Sequence, residues 1–141
     1  MISLTFRLSR EVTIVDRARI LLAEDDQAMR DFVRRALEMD GHDVTTVHDG
    51  GEALERLTSP LHEYDLLLAD IRMPVVDGVA LALEMAREHP NLPIILMTGY
   101  AQQSDRAFGL EAAIKGVVQK PFTLEQIRTE VRGVLEAAGA N

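Results

Sequence analysis

Residues 64–78 read YDLLLADIRMPVVDG, a stretch that contains one complete structural unit. Its run Asp65–Ala69 is apolar after the first residue and predicts a short buried strand that ends at Asp70. Pro74–Gly78 predicts a turn, because proline and an Asp-Gly pair both favour turns. Val79–Glu88 has the length and the apolar period of a helix. A strand followed by a turn and a helix is the repeating unit of α/β folds.

Units of the same kind lie on both sides of this stretch. The other predicted strands are Arg19–Ala23, Asp43–Val47, Pro93–Met97 and Lys115–Gln119. The other predicted helices are Gln27–Met39, a short helix that Asp49 opens and Thr58 ends, a weaker helix at Gln103–Ala112, and a last helix that Thr123 caps and whose inner face carries Ile127, Val131, Val134 and Leu135. Continuous apolar strands that alternate with helices predict a doubly wound α/β fold. We expect a five-stranded parallel sheet of flavodoxin-like order 2-1-3-4-5, with helices on both faces.

The size and composition of the chain narrow the class of protein. With 141 residues and a formal net charge of −8, the chain predicts a single domain without the basic surface that nucleic-acid binding needs. No apolar run approaches the ~20 residues that span a bilayer. Cysteine is absent, so no thiolate metal site can form. We therefore expect a cytoplasmic protein with no membrane and no nucleic-acid partner.

The first part of the chain, residues 1–18, stands apart from the βα pattern. Its apolar residues alternate with polar ones, as in an edge strand, but a disordered leader or an over-long translation start explains them as well. Charged residues interrupt the apolar ones, so the segment does not fit a signal peptide. We divide the chain into an N-terminal extension, residues 1–18, and one domain, residues 19–141.

Side chains of reactive types follow four of the five predicted strands. They are Glu24-Asp25-Asp26 after the first strand, Asp70 after the third, Thr98 after the fourth and Lys120 after the fifth. In open parallel sheets, ligands bind beyond the carboxyl ends of the strands, where the strand order reverses. Three carboxylates close together repel one another and need a cation, and all-oxygen ligands favour Mg²⁺. A carboxylate can also attack phosphorus to form an acyl phosphate, whose oxygens an ammonium and a hydroxyl can hold.

Four stretches resemble the response-regulator receiver domains. ILLAEDDQAMR is similar to the first strand and acidic pair of that family, and YDLLLADIRMPVVDG to its phosphoacceptor strand and loop. ILMTG carries the position of the switch threonine, and VVQKPF carries the lysine–proline segment. The four motifs occur in the family's order over roughly residues 19–137. The resemblance implies a CheY-like fold and a phosphorylation switch, not an enzyme with a separate substrate.

The resemblance also implies a role for each residue of the site. The expected roles are Asp70 as phosphoacceptor, Asp25 as a direct Mg²⁺ ligand, Glu24 as a Mg²⁺ ligand through water, the main-chain carbonyl of Arg72 as a third ligand, Lys120 and Thr98 as partners of the phosphoryl oxygens, and Asp26 as a helix cap. Two positions depart from the common pattern. Glu24 stands where Asp is commoner, and Val117 stands where an aromatic ring usually takes part in activation.

A finer resemblance concerns output and partners. ILLAEDD and PIILMTGYA are similar to the CpdR-type single-domain regulators of alphaproteobacteria. That resemblance implies phosphorylation by a histidine kinase or a histidine phosphotransfer protein, a monomer or weak dimer, and a phosphorylation-controlled adaptor role for the protease ClpXP, through ClpX, in cell-cycle control. A phosphorelay intermediate or a phosphate sink is the alternative within the same family.

Two other classes of protein use a similar sheet edge. A small phosphatase with an aspartate nucleophile, of the haloacid-dehalogenase type, would carry a second acid two residues after Asp70, where this chain has Arg72. A flavodoxin-like electron carrier would need a phosphate-binding loop after the first strand and stacking aromatics. This chain has acids in that loop, two tyrosines and no tryptophan.

Overall fold

Five parallel strands form the central sheet of the structure, a computed structural model that describes residues 5–7, 13–15, 17–99, 110 and 112–139. The elements along the chain are β1 Thr5–Arg7, β2 Thr13–Val15, β3 Arg19–Ala23, α1 Gln27–Glu38, β4 Asp43–Val47, α2 Gly50–Thr58, β5 Leu66–Asp70, α3 Gly78–Glu88, β6 Ile94–Thr98, β7 Gly116–Gln119 and α4 Leu124–Gly139. The central sheet has the order β4-β3-β5-β6-β7, with every neighbouring pair parallel. The predicted order 2-1-3-4-5 is therefore confirmed.

The strands are apolar on both faces because helices cover both faces. Alternate strand residues, such as Leu21, Leu67 and Leu96, pack with the buried residues of α2 and α3. The residues between them, such as Leu22, Leu68 and Ile95, pack with α1 and α4. The inner face of α4 carries Ile127, Val131, Val134 and Leu135, as the sequence predicts. Successive side chains of a strand point to opposite faces of the sheet. Because both faces are buried under helices, every strand position is apolar, which explains the continuous apolar runs.

The strand bounds agree with the prediction except for small shifts. β3 and β4 match it residue for residue. β5 and β6 are each shifted by one residue, so that they begin after Asp65 and Pro93 and end at Asp70 and Thr98. β7 begins one residue later than predicted, at Gly116. The carboxylate of Asp65 accepts a hydrogen bond from the Arg19 amide at 2.8 Å, and Pro93 has no N–H to donate to a strand ladder. The predicted helix at residues 103–112 falls almost wholly outside the described residues.

The helix ends test three predicted caps. Thr123 and Gln126 form a reciprocal capping box at α4, with N···O distances of 2.7 and 3.0 Å. Asp49 caps α2 by accepting the Glu52 amide at 2.7 Å. Asp26 occupies the N-cap position of α1, but its side chain makes no capping hydrogen bond, so that prediction is wrong. The backbone N–H of Asp26 instead donates to the Glu24 carboxylate.

The N-terminal segment contains a small sheet of its own. β1 and β2 pair antiparallel, with Phe6 opposite Ile14. Within the described residues this pair is separate from the five-stranded sheet. No helix in the described part of the chain is both long enough and apolar enough for a membrane span.

Candidate functional site

The predicted site residues meet at one edge of the central sheet. Glu24 directly follows β3, Asp70 is the last residue of β5, Thr98 is the last residue of β6, and Lys120 directly follows β7. Because these strands are neighbours in the order β3-β5-β6-β7, their carboxyl ends lie side by side. The Lys120 amide donates to the Thr98 carbonyl at 2.7 Å, which joins the last two strand ends.

Burial separates this edge from ordinary polar surface. Glu24, Asp70 and Thr98 are the buried polar or charged residues in the described ranges, with exposed fractions of 0, 5 and 0%. Asp25, which directly follows Glu24, is exposed. An ionised carboxylate is strongly disfavoured away from water unless a partner compensates it. Two buried carboxylates at one sheet edge therefore indicate a functional site.

Lys120 is the partner of both buried carboxylates. Its ammonium lies 2.7 Å from Glu24 Oε1 and 3.2 Å from Asp70 Oδ1. Burial raises the pKa of Glu24, and the hydrogen bond from Lys120 opposes that rise only in part. Burial also raises the pKa of Asp70, again against the charge of Lys120. For Lys120, burial works to lower the pKa, but Glu24 and Asp70 outweigh it and the pKa is raised.

The carboxylates of Glu24, Asp25 and Asp70 fit a hard divalent cation. Each offers an oxygen, and these oxygens all lie within 4.8 Å of one another. At an effective dielectric constant near 20, two like charges about 4 Å apart repel by roughly 4 kcal/mol. Three carboxylates and the single ammonium of Lys120 leave a net charge of −2 when all are ionised. One Mg²⁺ would balance that charge with the oxygen ligands it prefers.

A second group of metal-type ligands consists of His48, Asp49 and Glu52. Its side chains already have other roles. Asp49 caps α2, and Glu52 lies 2.8 Å from His48 Nδ1. His48 is exposed, so the group is accounted for by local helix chemistry.

Sequence reasoning missed a contact that fixes the acidic turn after β3. Arg30, one turn into α1, donates from Nη1 to the carbonyl oxygens of Glu24 at 2.7 Å and of Asp25 at 3.4 Å. The Glu24 amide donates to the Val47 carbonyl at 3.1 Å. The available signal was the position of Arg30, one helical turn after the start of α1 at Gln27. At that position a long basic side chain can reach back to the backbone of residues 24 and 25.

The loop after Asp70 packs tightly on its surroundings. A Cβ on Gly78 would lie 2.4 Å from the Asp70 carbonyl oxygen, and a Cβ on Gly50 would overlap the Val76 carbonyl. Val75 has a positive φ of 72° and is 81% exposed. Arg72, whose carbonyl is a predicted ligand, is an exposed residue at the start of this loop.

Val117, which stands where an aromatic ring usually takes part in activation, lies in β7 and is 40% exposed. Residues 100–109, which follow the switch-threonine position Thr98 and Gly99, lie outside the described residues.

The fold and this site define a class of protein. The chain belongs to the response regulator receiver domain family, which matches residues 20–132. Receiver domains are phosphoacceptor switches of two-component systems, in which an aspartate takes the phosphoryl group and Mg²⁺ is generally bound for the reaction.

Individual relatives agree with the family. The chain is 37% identical over 117 residues to response regulator MprA of Mycobacterium ulcerans (strain Agy99), a match that covers 83% of this chain and 50% of that protein. The chain thus spans about half the length of the curated relatives it matches. These relatives are MprA-type regulators, so the resemblance to CpdR-type regulators stays a prediction.

Solved structures show the same fold. A CheY-like receiver domain protein of Methanospirillum hungatei JF-1 matches with a TM-score of 0.80 and 26% identity, over 89% of this chain and 98% of that one. The chemotaxis response regulator CheY4 of Vibrio cholerae matches with a TM-score of 0.75 and 25% identity, over 84% of this chain and 99% of that one.

Proposed function

We propose that Asp70 accepts a phosphoryl group in a Mg²⁺-dependent reaction, with a histidine kinase or a histidine phosphotransfer protein as donor. The observation that carries this proposal is the site of net charge −2: three carboxylates whose oxygens lie within 4.8 Å, with Lys120 between two of them. Asp70 is the last residue of β5, the central strand of the sheet, and its carboxylate lies 3.2 Å from the Lys120 ammonium.

The chemical step transfers phosphorus from nitrogen to oxygen. A carboxylate oxygen of Asp70 attacks the phosphorus of a phosphohistidine, the new O–P bond forms, and the N–P bond breaks as the imidazole leaves and takes up a proton. Lys120, 3.2 Å from Asp70, holds one of the phosphoryl oxygens, and the Thr98 hydroxyl donates to another. Asp25, Asp70 and the carbonyl of Arg72 would hold Mg²⁺, with Glu24 near it. The ion supplies neutralisation of charge on the transferred group.

A small phosphodonor tests this proposal directly. We expect acetyl phosphate to add one phosphoryl group to the wild-type chain with Mg²⁺ and none with EDTA, measured by intact mass. Asp70→Asn should stay unmodified, whereas Asp43→Asn, an exposed acid at the opposite end of the sheet, should be modified like wild type. Phosphate on the Asp70→Asn protein would contradict the assignment, and sustained turnover of free phosphomonoesters would favour a phosphatase instead.

For the output, we propose a protease-adaptor role in which the unphosphorylated form binds the N-terminal region of ClpX. The support is the resemblance of ILLAEDD and PIILMTGYA to CpdR-type regulators. A phosphoryl group adds about −1.5 to −2 charges at neutral pH and draws Lys120 and Thr98 toward it. A partner that binds the resting shape better is then released, because a ligand shifts an equilibrium only by its differential affinity.

The output is tested by binding of the ClpX N-terminal region to three forms. Wild type and Asp70→Ala should bind, and the beryllofluoride complex of wild type should bind more weakly. Equal or tighter binding by the beryllofluoride form would rule out the adaptor role. A phosphorelay intermediate or a phosphate sink would then be the better account of this receiver domain.

A further inference from the structure

We propose that the amino end of the central sheet carries an acid-sensitive junction, in which His42 and His62 hold two neighbouring backbone segments only while both imidazoles are neutral. The junction lies at the end of the sheet opposite Asp70, and the proposal does not rest on the function proposed for that residue. Its consequence is that acidification loosens the attachment of the N-terminal extension, whose last residue is Ala18, by a route separate from the phosphoacceptor edge.

Each of the two histidines accepts a backbone hydrogen bond through Nδ1. The Ala18 amide donates to His42 Nδ1 at 3.1 Å, and the Tyr64 amide donates to His62 Nδ1 at 3.3 Å. A neutral imidazole has one N–H and one acceptor nitrogen, whereas a protonated imidazole has two N–H groups and no acceptor. Protonation of either histidine therefore removes its bond. At Ala18, which is only 3% exposed, the amide would lose its partner away from water, and that is costly.

The two bonds act on one corner of the sheet. Ala18 directly precedes β3 and Tyr64 lies just before β5, and these strands are parallel neighbours. The two segments are also joined to each other, because the Asp65 amide donates to the Arg19 carbonyl at 2.7 Å and the Asp65 carboxylate accepts from the Arg19 amide at 2.8 Å. Loss of the histidine bonds therefore loosens the entry to both strands.

A cavity gives solvent access to this corner. Its volume is about 540 Å³, and Ala18, His62, Tyr64 and His89 are among the residues that line it. The ring of His62 stacks on Tyr64 with centroids 5.7 Å apart, and the ring of His89 meets it edge-on at 4.7 Å. Two protonated imidazoles at that distance repel each other, so His89 opposes the charging of His62.

Burial and neighbouring charges both act on the two imidazoles. Burial lowers the pKa of His42, and it also lowers the pKa of His62, which His89 lowers further. The charged groups around His42 are Asp40 and Asp65, which oppose the effect of burial, Arg132, which adds to it, and the exposed pair Arg17–Asp43. Around His62, the titratable groups are His89 and Glu88 at the end of α3, Glu55 and Arg56 of α2, Arg19 of β3, and Glu63, Tyr64 and Asp65 of its own loop.

The lowered pKa values fix the direction of the pH effect. A folded pKa below the ordinary value of 6.5 gives stability that is present above 6.5 and is lost as pH falls through the folded value. The junction is therefore closed at neutral pH and opens in acid.

Amide hydrogen exchange of the full chain, followed by NMR and corrected for intrinsic rates, tests this proposal. Protection of the Ala18 and Tyr64 amides should fall at least ~10-fold between pH 7.5 and pH 4.5. The Leu67 amide, which donates to the Pro93 carbonyl at 3.0 Å, reports the sheet itself and should keep its protection. Constant protection of Ala18 and Tyr64 would overturn the proposal. An equal loss at Leu67 would also overturn it, because the fold would then open as a whole.

Asparagine variants separate the two bonds, since an amide oxygen can accept a backbone N–H and does not titrate in this range. In His42→Asn, protection of Ala18 should change less than ~3-fold over the same pH range while that of Tyr64 still falls, and His62→Asn should show the reverse. His48→Asn is the matched control, because His48 is exposed and pairs with Glu52, and it should behave like wild type. A pH-dependent loss at Ala18 in His42→Asn as large as in wild type would contradict the proposal.

A readout on the wild-type chain needs no variant to fold. Imidazole ¹⁵N NMR should show Nδ1 of His42 and His62 unprotonated at pH 7.5, with the proton on Nε2. Protonation of Nδ1 should follow the same pH course as the loss of amide protection at Ala18 and Tyr64. Amide protection that is lost while Nδ1 stays unprotonated, or an Nδ1 that already carries a proton at pH 7.5, would overturn the inference.

Discussion

Asp70 illustrates at the scale of one residue how function and stability oppose each other. Its side chain is only 8% exposed, and its carboxylate lies beside the ammonium of Lys120 rather than in water. Burial raises the pKa of Asp70, which means that the folded chain disfavours the ionised form. A nucleophilic carboxylate must nevertheless be ionised, so the chemistry of the site uses the form of Asp70 that burial makes less favourable.

We predict that Asp70→Asn raises the free energy of unfolding at pH 7 in Mg²⁺-free buffer. Because the folded pKa of Asp70 is raised, its contribution to stability is present below the ordinary value of 3.8 and is lost as pH rises through the folded value. Asparagine cannot ionise and avoids that loss. Urea denaturation at pH 7 and pH 3 measures the effect, which should shrink at the lower pH. Asp31→Asn, on the exposed side of α1, is the control, and an equal gain there would contradict the explanation.

At the scale of elements, the helix caps differ although their sequences look alike. Asp26, Asp49 and Thr123 all precede predicted helices, but of these three only Asp49 and Thr123 accept amide hydrogen bonds through their side chains. Asp26 follows the buried acid Glu24, whose carboxylate takes the Asp26 amide. The Asp26 amide thus supplies a hydrogen bond to the buried Glu24 carboxylate, while the Asp26 side chain makes no capping bond to α1.

This difference predicts unequal costs for alanine at the two kinds of cap. Thr123→Ala should lower the free energy of unfolding by about 1 kcal/mol, the usual effect of losing an N-cap bond. Asp26→Ala should change it by less than about 0.5 kcal/mol, as for an ordinary surface position. Urea denaturation in Mg²⁺-free buffer compares the two variants. A loss at Asp26 as large as that at Thr123 would show that its side chain caps α1 in solution.

Asp40 connects two elements on the same face of the sheet. It follows α1 and accepts hydrogen bonds from Arg128 of α4, with Oδ1 at 2.6 Å from Nη2 and 3.1 Å from Nε. Arg132 Nη2 lies 3.6 Å from the other oxygen. The hydrogen bonds from Arg128 lower the pKa of Asp40, so the folded chain favours its ionised form.

We therefore predict that Asp40→Asn destabilises the chain in a pH-dependent way. A lowered folded pKa gives stability that is present above the ordinary value of 3.8 and is lost as pH falls through the folded value. The gap in melting temperature between wild type and Asp40→Asn should be widest near neutral pH and should close as pH falls below 3.8. Asp31→Asn, whose pair with Arg34 lies on an exposed helix face, is the matched control. A gap that stays constant down to low pH would contradict an ionic origin.

At the scale of the whole molecule, close backbone approach joins the site to α2. The Gly50 amide donates to the Pro74 carbonyl at 3.2 Å, and a Cβ on Gly50 would overlap the Val76 carbonyl. The loop that follows Asp70 thus rests on the start of a helix on the face that α2 and α3 cover. The start of α2 and the loop at residues 74–76 can pack this closely because Gly50 has no side chain.

Gly50→Ala should therefore destabilise the chain and disturb the loop after Asp70. We expect a loss of about 1–3 kcal/mol in the free energy of unfolding, as in other overpacked sites. Gly133→Ala is the matched control, because a Cβ there would meet no atom within 4 Å, and it should stabilise α4 by up to about 1 kcal/mol. Amide NMR shifts of residues 73–77 report the loop. A neutral Gly50→Ala variant with unchanged shifts would contradict this packing explanation.

The sequence by itself determined the sheet and the composition of its edge. The bounds of β3 and β4, the stripe Ile127–Leu135 and the capping box at Thr123 follow from local pattern, because period and turn chemistry act within a few residues. Strand order places the acids near Lys120 once each strand end is known. Motif resemblance supplied the expected role of each side chain at that edge.

Only the tertiary structure decided which partners those side chains choose. Glu24 and Lys120 are 96 positions apart, and a spacing along the chain gives neither the 2.7 Å contact nor its preference over Asp70. The same holds for Arg30 on the carbonyls of the acidic turn and for Gly50 beneath Val76. Local sequence fixes the element and the face on which a residue lies. Its hydrogen-bond partner depends on which donors and acceptors from other strands and helices the packed fold brings within bonding distance.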